Sequence, residues 1–236
     1  MAHAARQRIG NRSHQCDATA THTIDGTRAY ALLDGIGSSS EVQEWTRATA
    51  RRLATAAAAC GSAETGLRAL HAWAAAEEGR SDPWSDLPTA CAVVAVHTPR
   101  RPLTVAWCGD ARAYHLPAGG DTARLLTRDH NMRQVMLDNG YPPARIRPGR
   151  RNIVVSYLGH TDGEPLIGND ITEPEGRLLL ASDGAYEPLA DGCVPLEPLL
   201  AAGDPATAAR ALVTTAIDNA PAKRADNATA LVADLT

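Results

Sequence analysis

The spacing of apolar and polar positions predicts two long helices set among short strands. Residues 17–23 and 27–33 flank Asp25-Gly26, a dipeptide that tolerates the positive φ of a type I′ turn, and so predict a β-hairpin. The second strand of that hairpin is expected to end at Asp34, in Leu33-Asp34-Gly35-Ile36-Gly37, where an apolar run meets a carboxylate set between glycines. Glycine allows positive φ or close backbone approach, and Ser38 to Ser40 supply an N-cap for a following helix. Residues 41–60 and 65–78 carry apolar side chains at helical spacing (Val42, Trp45 and Ala48; Leu67, Leu70 and Trp73) among Ala, Arg and Glu, and predict an antiparallel pair of amphipathic helices across one sheet face. After a loop at 79–88, the runs 90–97, 103–108 and 111–116 predict a meander of antiparallel strands, broken by Pro99-Arg-Arg-Pro102 and Gly109-Asp110. A short segment at 125–130 leads to a helix at 132–139, with Gly140 as its C-cap. Residues 141–151 hold Pro142, Pro143 and Pro148 beside Arg145, Arg147, Arg150 and Arg151, which predicts a solvated basic loop, not an interior element. Strand character returns at 153–158, 177–181 and 229–235, with a helix at 205–219.

This order lacks the strict βαβ alternation of a parallel sheet and indicates an α+β layered domain. Within it one layout recurs. Leu178-Leu-Leu-Ala-Ser182-Asp183-Gly184 repeats the apolar run, acid and glycine seen at Asp34, and Asp226-Asn227 directly precedes the apolar run 228–235. An isolated Asp-Gly after a hydrophobic run is ordinarily a turn; three acids at strand ends are a constellation.

Composition narrows the classes. The chain has 236 residues, 44% of them hydrophobic, enough for one compact domain spanning 1–236. A formal charge of −4 without a basic tract gives no electrostatic footprint for nucleic acid. No run of about 18 uncharged apolar residues suggests a membrane span, and the first residues do not resemble a signal peptide, so a cytoplasmic protein is expected. The five cysteines are scattered, with no zinc-ligand spacing, and read as reduced thiols. Carboxylates without a histidine cluster suit hard, oxygen-preferring cations, Mg²⁺ or Mn²⁺, over zinc.

With these landmarks in order, the chain resembles the PPM or PP2C family of metal-dependent serine/threonine protein phosphatases, in its bacterial form. The resemblance rests on Arg12 with Asp17, Leu33-Asp34-Gly35-Ile36-Gly37, Thr89-Ala90, Cys108-Gly109-Asp110-Ala111-Arg112, Leu126-Thr127-Arg128-Asp129-His130, Leu158-Gly159, Ser182-Asp183-Gly184 and Asp226-Asn227-x-Thr229. It implies a four-layer αββα sandwich of two antiparallel sheets flanked by helix pairs. It also implies two Mn²⁺ or Mg²⁺ ions that activate a bridging water for in-line attack on phosphorus. Asp34 would bridge the ions, the Gly35 carbonyl would bind the second, Asp183 and Asp226 would complete the first, and Asp17 would hold water bound to the second. Asp110 resembles an acid placed around a third, weaker site. Arg12 would grip the phosphate as a bidentate fork. The implied partner is a phosphoprotein made by a serine/threonine kinase, acted on by a monomer.

Departures from the pattern leave a second class open. Cys16 stands where an acid ordinarily precedes Asp17, Ile36 where many eukaryotic members have histidine, and Ala111 where serine is usual. A catalytically weakened regulatory or binding module on the same fold is therefore the alternative.

Overall fold

The structure is a computed structural model that describes residues 2–82 and 85–236; part of the loop expected at 79–88 thus lies outside the described residues. In chain order its strands are β1 (His3–Arg8), β2 (Ala18–Ile24), β3 (Thr27–Ile36), β4 (Thr89–His97), β5 (Leu103–Cys108), β6 (Arg112–Pro117), β7 (Arg124–Leu125), β8 (Gly168–Thr172), β9 (Gly176–Ala181) and β10 (Ala228–Leu235). Its helices are α1 (Ser40–Cys60), α2 (Ala63–Ala75), α3 (Met132–Asp138), α4 (Asp183–Asp191), α5 (Leu196–Leu200) and α6 (Pro205–Asn219).

The strands form two antiparallel sheets, ordered β1-β10-β9-β6-β7 and β2-β3-β4-β5-β8. Side chains alternate between the faces of a strand, and β3 shows the consequence. Tyr30 and Leu32 enter the core between the sheets with Val93, Val105, Leu178, Leu180 and Leu231. Ala29, Ala31 and Leu33 face outward onto Leu53 of α1 and Leu67 of α2. On the other sheet, Leu179, Ala181 and Val232 face Leu189 of α4 and Leu212 and Val213 of α6. Three apolar layers therefore separate four layers of secondary structure, the αββα sandwich of an α+β fold.

Several local expectations are corrected. The strand β3 runs through Asp34 to Ile36, and the turn falls at Gly37, whose φ is 117°; Asp34 is a strand residue, not its terminus. Residues 153–158 form no strand: Val154 makes an isolated bridge to Asn131, the N-cap of α3, and Leu158 one to Ala90 of β4. Their apolar side chains fill gaps singly, and Leu158 is fully buried. The unforeseen β1 is an edge strand with mostly exposed side chains, held through backbone pairing with β10, so no apolar periodicity announces it. β8 is likewise an edge strand, and α4 was hidden by Pro188 inside it. The 141–151 segment is a loop with two short 3-10 turns. Among the described residues no helix is long and apolar enough to cross a membrane.

The helix pair on β2–β5 is fixed by a short link. Gly61, at φ 61°, closes α1 with hydrogen bonds to the Ala57 and Ala58 carbonyls, and Ser62 caps α2. Gly66 of α2 then meets α1 so closely that a Cβ there would lie 2.5 Å from the Ala57 Cα. Helix propensity alone favours Gly66→Ala by about 1 kcal/mol. The contact predicts the opposite sign, a loss of about 1–3 kcal/mol from overpacking, read as a lower urea midpoint; a raised midpoint would show that the pair has room to separate.

Candidate metal centre

The row of side chains that β3 sends between the sheets, Tyr30 and Leu32, continues to Asp34. Apolar packing along that row ends in a carboxylate at one mouth of the sandwich. The paired strand β4 places Cys91 opposite it. On β9 the run Leu178 to Ala181 stops at Ser182, and the chain turns into α4 with Asp183 as its first residue, where the helix N-terminus favours a negative charge. Gly184 is required there because a Cβ would lie 2.1 Å from the Asn227 carbonyl oxygen. That close approach sets Asp183 beside Asp226, which precedes β10. The Asp183 amide donates to Asp34 Oδ2 at 3.4 Å.

Asp17 is buried at 2% exposure. Ser182 Oγ donates to its Oδ2 at 2.8 Å and accepts from the Thr229 amide at 2.9 Å, while Asp17 Oδ1 is buried with no hydrogen-bond partner. Asp110, also buried, follows Gly109, whose φ of 104° and lack of Cβ let the turn close over Cys91. The Asp110 carbonyl accepts from the Tyr186 hydroxyl of α4 at 2.9 Å. The sequence-expected residues Asp17, Asp34, Asp110, Asp183 and Asp226 thus gather at one end of the sandwich, close enough for each of the four besides Asp34 to raise the Asp34 pKa.

Burial is the largest cause of the upward shifts and mutual repulsion adds to it. Asp34 is pushed well above the ordinary carboxylate range by desolvation and then by Asp183. Desolvation brings Asp17 to about 8 and Asp183 to about 7, each with repulsion from neighbouring acids. Among the described residues, the one cation in contact with these acids is Arg12, which pairs with Asp226 and is held protonated by it. No three ligating side chains among the described residues stand in a ready coordination shell. The fit to hard cations rests instead on an all-oxygen donor set, on repulsion that a divalent charge would relieve, and on the unsatisfied Asp17 oxygen.

Sequence reasoning missed the outer wall. A groove of about 430 Å³ beside Asp183 and Asp226 is lined also by Arg12, Arg151, Glu187 and Arg224. Glu187 lies one helical turn from Asp183, a spacing that would have shown the pairing had α4 been expected, and desolvation with Asp183 repulsion raises it to about 8. Arg151 leaves the otherwise exposed basic loop to bridge Glu187 at 3.0 Å and Asp191 at 2.7 Å. Cys16 is fully buried; its amide donates to Asn227 Oδ1 at 2.7 Å. Its backbone lies against Gly35, where a Cβ would be 2.6 Å from the Cys16 carbonyl oxygen. Burial raises the Cys16 thiol pKa, so it is a neutral neighbour. Ile36 is exposed at 41%.

The acids give a signed stability expectation without metal. Folded values near 7 and 8 for Asp183 and Asp17, against 3.8 unfolded, mean that the folded chain holds protons the unfolded chain has released, so stability falls as pH rises above about 4, and the last of it is lost through 7–8. Buried His71, His97, His115 and His130 are lowered by desolvation, His130 to about 4. They act with the opposite sign but below pH 6.5. In chelator the melting temperature is therefore expected to fall from pH 6.5 to 8.5, and to fall less in Asp183→Asn; an equal fall in both would remove Asp183 from the cause.

No family model matches the chain, and no curated protein matches it in sequence. Solved structures do. PppA, described as a key regulatory component of T6SS in Pseudomonas aeruginosa, superposes with a TM-score of 0.75 at 24% identity, covering 100% of this chain and 97% of PppA. The Mycobacterium tuberculosis serine/threonine phosphatase PstP/Ppp superposes with a TM-score of 0.74 at 24% identity over 99% and 98% of the two chains. The catalytic domain of PstP in complex with two manganese ions gives 0.69 at 23% identity over 100% and 98%. Over its whole length, the chain has the fold of the PPM-type serine/threonine phosphatases.

Proposed function

We propose that the protein is a phosphatase that uses Mn²⁺ or Mg²⁺ to hydrolyse phosphoserine and phosphothreonine in proteins. The observation that carries this reading is the convergence of Asp34, Asp183, Asp226, Asp17 and Asp110, on a phosphatase fold, around a mouth that also holds Arg12. Asp34, the Gly35 carbonyl, Asp183 and Asp226 would hold two ions, with Asp17 holding water on the second and Asp110 serving a third, weaker site. Such ions, when bound, supply Lewis-acid charge stabilisation and a nucleophile from water at neutral pH.

The chain's own residues do the rest. Arg12 reaches the groove from the loop between β1 and β2, where its planar fork suits two phosphate oxygens. Ser182 holds Asp17 in one orientation by donating to Oδ2, leaving Oδ1 directed elsewhere. Ile36 offers no proton to a leaving alkoxide, so aryl phosphates, whose phenolate leaves unaided, suit this site better than alkyl phosphates. The natural substrate is a phosphoprotein produced by a serine/threonine kinase, met by a cytoplasmic monomer. A weakened regulatory module is the second reading, and Cys16 favours it: a neutral thiol replaces a carboxylate that would orient cation-bound water, a class of contact worth about 10 to 100-fold in affinity or activity.

Hydrolysis of p-nitrophenyl phosphate is expected to vanish in chelator and return with Mn²⁺, and Asp226→Asn to lose at least about a hundredfold in turnover. Undiminished activity after metal removal would overturn the reading. Cys16→Asp separates the two classes: it is expected to lower the melting temperature in chelator by adding a buried negative charge, and to tighten the weaker Mn²⁺ site in calorimetry. Unchanged Mn²⁺ affinity in a folded variant would place Cys16 outside the outer shell of the centre.

A further inference from the structure

The groove beside the acids holds three guanidinium groups in different states. Arg12 is paired with Asp226, and Arg151 is bridged to both Glu187 and Asp191. Arg224 lines the same groove, is exposed, and makes no ion pair or side-chain hydrogen bond among the described residues. Beside it, Lys223, the only lysine in the chain, is exposed, has no ionic partner among the described residues, and shares an adjoining surface hollow with Arg8.

This pair stands on a turn closed by a hydrogen bond from the Arg224 amide to the Pro221 carbonyl at 3.0 Å. Lys223 has φ 64°, in the left-handed region, which non-glycine residues occupy uncommonly and at a cost. The turn is pinned to the β1–β2 loop that carries Arg12. Asn11 donates its amide to the Ala225 carbonyl at 2.8 Å and accepts the Ala225 amide on Oδ1 at 3.0 Å. Asn227 Nδ2 donates to the Ile9 carbonyl at 2.9 Å. Gly10 packs so tightly that a Cβ would lie 2.3 Å from the Asp226 carbonyl oxygen. Arg12, Arg224 and Asp226 are thereby held on one framework, with Arg224 in the groove beside the acids and Lys223 in the adjoining hollow. Isolated surface cations are ordinary; a preorganised pair whose groove-mates are already neutralised is a receptor for an anion.

We propose that Arg224 and Lys223 bind a second anionic group of the phosphoprotein substrate, a carboxylate or another phosphate close in sequence to the phosphorylated residue. This rests on the phosphatase reading, and it assigns that site a preference for acidic or multiply phosphorylated segments. Arg224 lies two residues from Asp226, at most about 7 Å of chain. An extended peptide covers that distance in about two residues, which sets the expected offset of the second anion.

The test uses phosphoserine peptides with Ala, Glu or a second phosphoserine placed two residues to either side. Wild type, Arg224→Gln, and the double variant Arg224→Gln with Lys223→Gly are compared. Glycine removes the lysine charge while keeping the left-handed backbone. Wild type is expected to show kcat/KM about fivefold higher for Glu than for Ala on one side, through KM, as for exposed charge pairs, and more for the second phosphate. The ratio should shrink with salt and fall to within about twofold in the double variant. Arg101→Gln, on the distant β4–β5 turn, controls for net charge. Binding of fluorescent peptides carrying a non-hydrolysable phosphonate, followed by anisotropy, gives the same ratios without turnover. If p-nitrophenyl phosphate is not cleaved with Mn²⁺ while the anisotropy ratios behave as stated, the phosphatase reading fails and the anion site stands. A wild-type ratio of one, a ratio kept in the double variant, or an equal loss in Arg101→Gln overturns the proposal.

Discussion

The structure depends on a concentration of negative charge at a place where water cannot fully screen it. Asp17 and Asp110 are buried, Asp34 is half-buried, and both Asp17 and Asp110 raise the cost of ionising Asp34. Bringing carboxylates together in this way opposes folding unless protons or cations offset the repulsion. The sandwich supplies the opposing free energy. Three apolar layers fix β3, β9 and β10 in register, so their ends meet whatever charge those ends carry.

The positioning comes from small residues and hydroxyls as much as from the acids. Gly184 admits the Asn227 carbonyl and so sets the start of α4 against the segment before β10. Gly109 turns over Cys91 to bury Asp110. Ser182 ties Asp17 to the Thr229 amide with a single hydroxyl. A larger side chain at either glycine would move an acid by displacing backbone, which explains why the acids travel with Gly and Ser neighbours in the sequence.

Around this centre the arginines divide the work by the partners they have. Arg112 is bidentate to Asp129 at 2.8 Å and stacks on the Tyr186 ring, bracing α4 from behind. Arg151 fastens the 141–151 loop to the outer side of α4. Both are spent on structure. Arg12 shares its charge with Asp226, and Arg224 keeps its own, so cationic character grows toward the rim of the groove.

The sequence alone determined the α+β layering and the identity of the acids, while the sandwich followed from the family resemblance. Alternation along 27–33 and helical spacing along 41–60 are local periodicities, and each matches a face that is buried. The acids were legible because each interrupts or precedes an apolar run beside Gly, Ser or Asn. Edge strands β1 and β8 left no such trace, since their hydrogen bonds come from backbone and their side chains face solvent. Helix α4 is obscured by Pro188, although Ser182-Asp183-Gly184 marks its start. Only the tertiary structure decided that Arg151 leaves a solvated loop to pair with α4, and that Arg224, without an ionic partner among the described residues, shares a groove with Arg12. Those facts depend on contacts between segments far apart in the chain, such as Asn11 with Ala225, and no local pattern encodes which distant partner a charged side chain will meet.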